Sequence, residues 1–359
     1  MLVATGSYLG NRPTSQSITG LGFSPDLVWV KTMNAATGRA PIMAWSNFPA
    51  GKAAFPGINA VYETTAITSL DVDGFTVGNS VYTNENGETE DWLALKDNGA
   101  GDMKIGSYVG DGGVTQAITG VGFDPELVIV QQDQDDPDKD APRDAHWRTD
   151  TLTNPPQAGL FRVGLFPVGE FYIVSLDVDG FTVGQFGPAN RLNVTYFYAA
   201  FRGSANFETG TYTGDGTDAR EITLPGTIDW VGLKKNTLLN ANIPFIFRNT
   251  ESGVTDEASD CAENVAAANQ IESFGANGFT VGSHDRANTD TATYDWFAFG
   301  SGFGGVLIVR TISEAIGLAD VVDVVAEVPT SPLTRTIPHQ GRTEGTIPHQ
   351  GRTEGVELE

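Results

Sequence analysis

At 359 residues the chain is longer than one ordinary hydrophobic core covers, and its 45 acidic against 21 basic residues leave a formal charge of −24. That charge repels phosphate backbones and anionic lipid surfaces, and no stretch reaches the roughly 18 apolar residues of a spanning helix, so neither nucleic acid nor membrane insertion is expected. A lone cysteine, Cys261, excludes an internal disulfide, and 43 glycines beside recurrent aromatics describe short strands and tight turns.

Taken in chain order, the sequence repeats itself three times. The first copy opens with Gly6-Ser7-Tyr8 and continues Ile18-Thr19-Gly20-Leu21-Gly22-Phe23-Ser24-Pro25-Asp26-Leu27-Val28-Trp29-Val30-Lys31. The proline suits a strand start, where its missing N–H breaks no ladder, and the apolar run Leu27 to Lys31 predicts a central strand covered on both faces. Asp73-Gly74 is a turn dipeptide ahead of Phe75-Thr76-Val77-Gly78, the return strand of a hairpin, and Asp91-Trp92-Leu93-Ala94-Leu95 closes the copy. The second copy repeats this order at Gly106-Ser107-Tyr108, Ile118 to Val130, Gly180 to Gly184 and Phe197-Tyr198-Ala199-Ala200-Phe201. The third does so at Gly210-Thr211-Tyr212, Asp229 to Lys234, Gly278 to Gly282 and Asp295-Trp296-Phe297-Ala298-Phe299, but departs at Pro225 and lacks the Gly-Phe-x-Pro corner.

The expected architecture is all-β: three tandem antiparallel β-sandwich-like repeats over residues 1–101, 102–204 and 205–303, with an extended C-terminal tail over 304–359. Between the first and second landmarks the copies diverge, and these stretches are where a rigid β scaffold is expected to hold its function. One helix is predicted there, Thr255 to Ala268, with Asp256, Glu257 and Asp260 favouring its positive end. Val306 to Val309 reads as a further strand, while Ile312 to Val328 fits helix or strand. The tail ends in Thr336-Ile337-Pro338-His339-Gln340-Gly341-Arg342-Thr343-Glu344-Gly345, repeated without change from Thr346 to Gly355. Too polar to bury a core, it is a free end or an arm in which Ile337, Pro338, Arg342, Ile347, Pro348 and Arg352 dock an oligomer or a particle.

Candidate site residues are few. Asp71-Val72-Asp73-Gly74 and Asp177-Val178-Asp179-Gly180 begin like calcium loops, but no closing acidic ligand follows and a plain turn is expected. Asp133, Asp135, Asp136, Asp138 and Asp140 form a loose cation site or a solvated acidic run. No histidine pairing or cysteine cluster suits a metal, and no nucleophile or nucleotide motif stands in a supporting context, so neither catalysis nor a cofactor beyond loosely bound cations is expected. Trp92 and Trp296 share one repeat position and read as core. Trp45 and Trp147, with His146 and Arg148 beside the latter, are the candidates for contact with a glycan or partner.

The ordered landmarks over residues 6 to 300 resemble a repeat found in virion structural proteins of tailed viruses. The resemblance implies an exposed appendage, a fibre, capsid spike or turret, and brings no catalytic residues. Only seven lysines accompany the acidic surface, a balance that suits molar salt, where the Debye length is roughly 3 Å. Together these imply a tailed virus of a halophilic archaeon. The expected partners are the chain itself, as a homo-oligomer through equivalent faces of the repeats and the tail, other virion proteins, and a host surface glycan. A carbohydrate-binding adhesin and a surface-glycan depolymerase are the alternatives.

Overall fold

Valine, isoleucine and aromatic residues recur in runs too short for helices, separated by glycine, asparagine and aspartate turns, and each such run folds as a strand. The structure is a computed structural model that describes residues 1–33, 38–135, 144–152, 158–162, 172–185, 188–236, 243–251, 257–261 and 267–303. The first module contains β1 (Leu2–Leu9), β2 (Gln16–Thr19), β3 (Leu27–Thr32), β4 (Ile42–Trp45), β5 (Ile67–Asp71), β6 (Gly74–Val77) and β7 (Thr89–Lys96). They form a large sheet, β1-β7-β3-β4, and a small one, β2-β6-β5. The second module contains β8 (Met103–Val109), β9 (Thr115–Thr119), β10 (Leu127–Gln132), β11 (His146–Thr149), β12 (Gly159–Leu160), β13 (Ile173–Asp177), β14 (Gly180–Gly184) and β15 (Thr195–Phe201). Its sheets are β12-β11-β10-β15-β8 and β13-β14-β9.

The third module contains β16 (Phe207–Thr213), β17 (Arg220–Thr223), β18 (Thr227–Asn236), β19 (Ile246–Asn249), β20 (Glu257–Asp260), β21 (Ala267–Ala268), β22 (Ile271–Gly275), β23 (Gly278–Val281), the short helix α1 (Asp285–Asn288) and β24 (Thr293–Ser301). Its sheets are β16-β24-β18-β19-β20-β21 and β17-β23-β22. One antiparallel pairing scheme thus occurs three times: β1 on β7, β8 on β15 and β16 on β24 set Gly6 opposite Trp92, Gly106 opposite Tyr198 and Gly210 opposite Trp296.

Side chains alternate across a strand, and here both sides are buried. Val28 and Val30 of β3 pack with Phe75, Val77 and Trp92 inside the first module. Leu27 and Trp29, on the other face, join Ile129, Trp147, Phe201, Trp230, Phe245 and Phe299 in a core shared by all three modules. The second module divides in the same way, with Val128 and Val130 in its own core and Leu127 and Ile129 in the shared one. The three stretches are therefore not separate compact bodies, and Met1–Ile308 is one compact unit.

One expectation is corrected. The helix predicted from Thr255 to Ala268 is absent: its described residues form β20 and β21, which extend the third large sheet outward from β19. Period-two burial wins over helix-end charge there, since Ala258 enters the third module's core and Ser259 points at the first module's Met33. Asp260 serves as the buried partner of Arg286 at 3.0 Å rather than as a helix-end charge. One face of each large sheet is covered by the other modules, while the small sheets keep exposed positions, Ser17, Ala117 and Glu221 among them. In the third module, where the proline corner is missing, β18 starts at Thr227 after Gly226 (φ 89°) and regains register through a bulge between Ile228 and Trp230. Residues 304–359, with the expected strand at Val306 to Val309 and the docking residues Ile337, Pro338, Arg342, Ile347, Pro348 and Arg352, lie outside the described residues.

Candidate functional site

Described residues of the stretches expected to hold function lie on the seams between modules, and the seams run in a cycle. From the first module to the second, Asn47 donates to the Gly106 carbonyl at 2.8 Å, Gln134 exchanges hydrogen bonds with the Phe55 backbone, and Ala145 N–H donates to the Pro56 carbonyl. From the second to the third, Thr209 donates to Asp150 at 3.1 Å, and Lys234 donates to the Leu160 and Arg162 carbonyls at 2.6 and 2.9 Å. From the third back to the first, Asn249 donates to the Gly6 and Trp92 carbonyls at 3.2 and 3.4 Å. Aromatic rings cross every seam: Trp29 meets Phe161 and Trp230, Phe48 meets Phe197, and Trp147 meets Phe245 and Phe297.

This arrangement corrects the proposed contact residues. Trp45 is 2% exposed and stacks on Phe48 with ring centres 5.0 Å apart, and Trp147 is 0% exposed. Both stand on strands that flank β3 and β10 in the large sheets, β4 and β11, whose outer faces are covered by the neighbouring module, so neither reaches a glycan. All six tryptophans of the chain are buried. His146 is also fully buried, beside Tyr172 at 5.1 Å, and burial pushes its pKa down to about 3. Arg148 is half-buried and donates to the Leu152 carbonyl at 3.2 Å.

The described end of the acidic run is likewise taken up by the first seam. Asp135 pairs with Lys52, whose ammonium lies 5.5 Å above the Tyr62 ring. Burial, and next the charge of Asp133, hold the Tyr62 hydroxyl far above its ordinary pKa. Asp136, Asp138 and Asp140 lie outside the described residues, among which no group of three acidic, histidine or cysteine side chains is placed to hold a metal. Asp73 and Asp179 are turn residues that fasten a neighbouring loop: Asp73 accepts from Gly20 and Gly22 N–H at 3.1 and 2.6 Å, and Asp179 accepts from Gly120 and Gly122 at 3.1 and 2.7 Å.

Sequence reading missed a threefold polar lock. Asn84, Asn190 and Asn288 are all fully buried, and each accepts the N–H of Asn11, Asp111 or Asp215 while donating to the Thr14, Gly113 or Thr217 carbonyl. Their signal was available, since each stands eight residues before Trp92, Tyr198 or Trp296. Buried charges were also missed. Burial raises Glu90 to about 8 and Asp295 to about 7, and lowers Lys234 to about 7. A crevice at the third seam, lined by Trp29, Asp91, Trp230 and Arg248 among others, has room for about one water. Donors and acceptors here are aimed at the next module rather than into a cavity, which is the chemistry of a joint.

No curated protein is matched by the chain. Residues 2–104, the first module, match the model of a family described as a domain of unknown function, DUF7483.

Proposed function

We propose that the chain is a non-enzymatic structural protein of a virion, an exposed capsid turret, spike or tail fibre of a tailed virus whose host is a halophilic archaeon. The observation that supports this most is the closed cycle of three β modules around one aromatic core, a rigid block built by a single chain. The landmarks that carry the resemblance to virion repeats fall on the parts that set this block. Gly-x-Tyr lies in the second half of each outer strand, and the closing Trp-x-Ala-aromatic strand lies next to it, second from that edge of each large sheet. With one face of each large sheet occupied, attachment to a particle is assigned to the outer faces of the small sheets, the exposed loops and the duplicated tail. Binding of host glycan would use surfaces other than the tryptophans.

Mass spectrometry of purified particles tests the reading. A stoichiometric component of the particle is the expected result, and a protein found only in cell lysate overturns it.

A further inference from the structure

The seams fix the direction in which the strands run. Asn47, just after β4, bonds Gly106 of β8; Thr209 of β16 bonds Asp150, just after β11; and Asn249 of β19 bonds Gly6 of β1. In each large sheet the two strands so engaged lie on opposite sides of the central ones, so the sheets stand side by side around the cycle and their strands run along its axis. Equivalent positions of the three modules therefore share an end. One end holds the starts of β3, β10 and β18 and the hairpin turns after β5, β13 and β22, since Asp73 and Asp179 of those turns bond the loops that enter β3 and β10. The other holds the last residues of β1, β8 and β16 and the first of β7, β15 and β24.

Apolar side chains are left uncovered at both ends. Val72 is 89% exposed and Val178 72% exposed, each the first residue of a two-residue turn closed by Asp71 on Gly74 or Asp177 on Gly180. Turns take glycine, asparagine, aspartate, serine or proline for backbone reasons, and a β-branched valine has none. At such exposure it has no packing role in its own module either. Asp71, Asp73, Asp177 and Asp179 flank the two valines, so these turns are apolar and negative, while the third module has Ala276 between Gly275 and Asn277. At the opposite end Leu9 and Val109 close β1 and β8, and Leu192 lies against the loop that holds Val114, where a β-carbon on Gly112 would stand 3.0 Å from it. All four of these side chains are more than half exposed. Each module adds an arginine there, Arg12, Arg191 or Arg220, and Arg12 and Arg220 stand 3.9 and 3.4 Å from Glu85 and Asp215, so charges of both signs meet at this end.

We propose that copies of this chain stack end to end, the valine-bearing hairpin turns of one copy seated on the Leu9, Val109, Val114 and Leu192 end of the next. Turn against turn would set carboxylates against carboxylates, whereas opposite ends set them against the arginines. Because the two surfaces differ, the contact is heterologous and repeats along the axis instead of closing at a pair. The chain's charge of −24 opposes the contact at low ionic strength, and screening in molar salt removes most of that opposition. The contact needs only a second copy and is independent of the virion reading.

Sedimentation velocity of the full chain in molar NaCl tests the stack. Wild type is expected to pass from monomer to progressively larger species as its concentration rises roughly a hundredfold. Val72→Asp with Val178→Asp blocks one end, and Val109→Asp with Leu192→Asp blocks the other. Each doubly substituted chain alone should stay monomeric with unchanged circular dichroism, and an equimolar mixture of the two should form a pair and nothing longer. Hydrogen–deuterium exchange of the wild type decides even where a variant fails to fold: on association, residues 71–74 and 110–114 should both gain roughly tenfold protection. A wild type that stays monomeric in molar salt overturns the proposal. So does an oligomer that survives either pair of substitutions, a mixture of folded variants that does not pair, or association that protects only one of the two ends.

Discussion

Glu90 shows how one side chain ties stability to pH in this molecule. It is 0% exposed, accepts the Glu85 N–H at 2.9 Å, and burial lifts its pKa to about 8 against hydrogen bonds that lower it. A carboxyl with a raised folded pKa stabilises most when protonated, so its contribution is present below about pH 4.5 and disappears as pH climbs through 8. His146 acts in the opposite window: neutral in the fold down to about pH 3, it lets the unfolded chain take the proton first, and stability falls as pH drops below about 6.5. Glu90→Gln keeps the acceptor and removes the charge. Its melting temperature should exceed the wild-type value at pH 9 and equal it near pH 5, and equal losses at both pH values would show that packing, not ionisation, is what the side chain supplies.

At the scale of the element, the outer strands were legible and their reason was not. The Gly-x-Tyr landmark marks β1, β8 and β16, but only the packing shows why glycine is required. A β-carbon on Gly106 would lie 2.3 Å from the Tyr198 ring, and one on Gly6 would lie 2.5 Å from the Trp92 ring. The tyrosine of the same landmark donates to a backbone carbonyl, that of Ala189 for Tyr108 at 2.7 Å. Gly106→Ala should therefore cost about 1–3 kcal/mol in urea denaturation, and a cost below about 0.5 would mean that Tyr198 yields freely. The doubly buried run Leu27 to Lys31 is the central strand its sequence predicts, because continuous apolar character reports burial on two faces. What lies on the second face is another module, and no local pattern names a partner more than a hundred residues away. The same limit misplaced Trp45 and Trp147. Divergence between copies predicts surface loops, whereas described residues of these stretches, Phe48, Trp147 and Phe245 among them, pack against a neighbouring module.

For the whole molecule, the shared core makes the modules depend on one another. Trp147 contacts Phe245 and Phe297 of the third module and packs in the cluster that holds Trp29 of the first. Trp147→Ala should cost about 3–5 kcal/mol and lower a single cooperative transition for residues 1–303, and separate melting of one module would contradict the shared core. The charge of −24 acts on the same unit. Melting temperature should rise steeply from low to molar salt as screening relieves repulsion, and a flat profile would remove the halophilic assignment while leaving the fold as described.

The third seam has a consequence for biosynthesis. Asn249 completes its bonds to Gly6 and Trp92 across 243 and 157 residues, so the first module leaves the ribosome long before its neighbour on that side exists. Until β18, β19 and β24 are made, Trp29 and Trp147 stand on uncovered sheet faces of the nascent chain, and such faces are sticky. Slow elongation late in the gene prolongs that exposure, and a chaperone that holds aromatic β surfaces shortens it. The yield of folded protein should therefore fall when synthesis of the last hundred residues of the cycle is slowed.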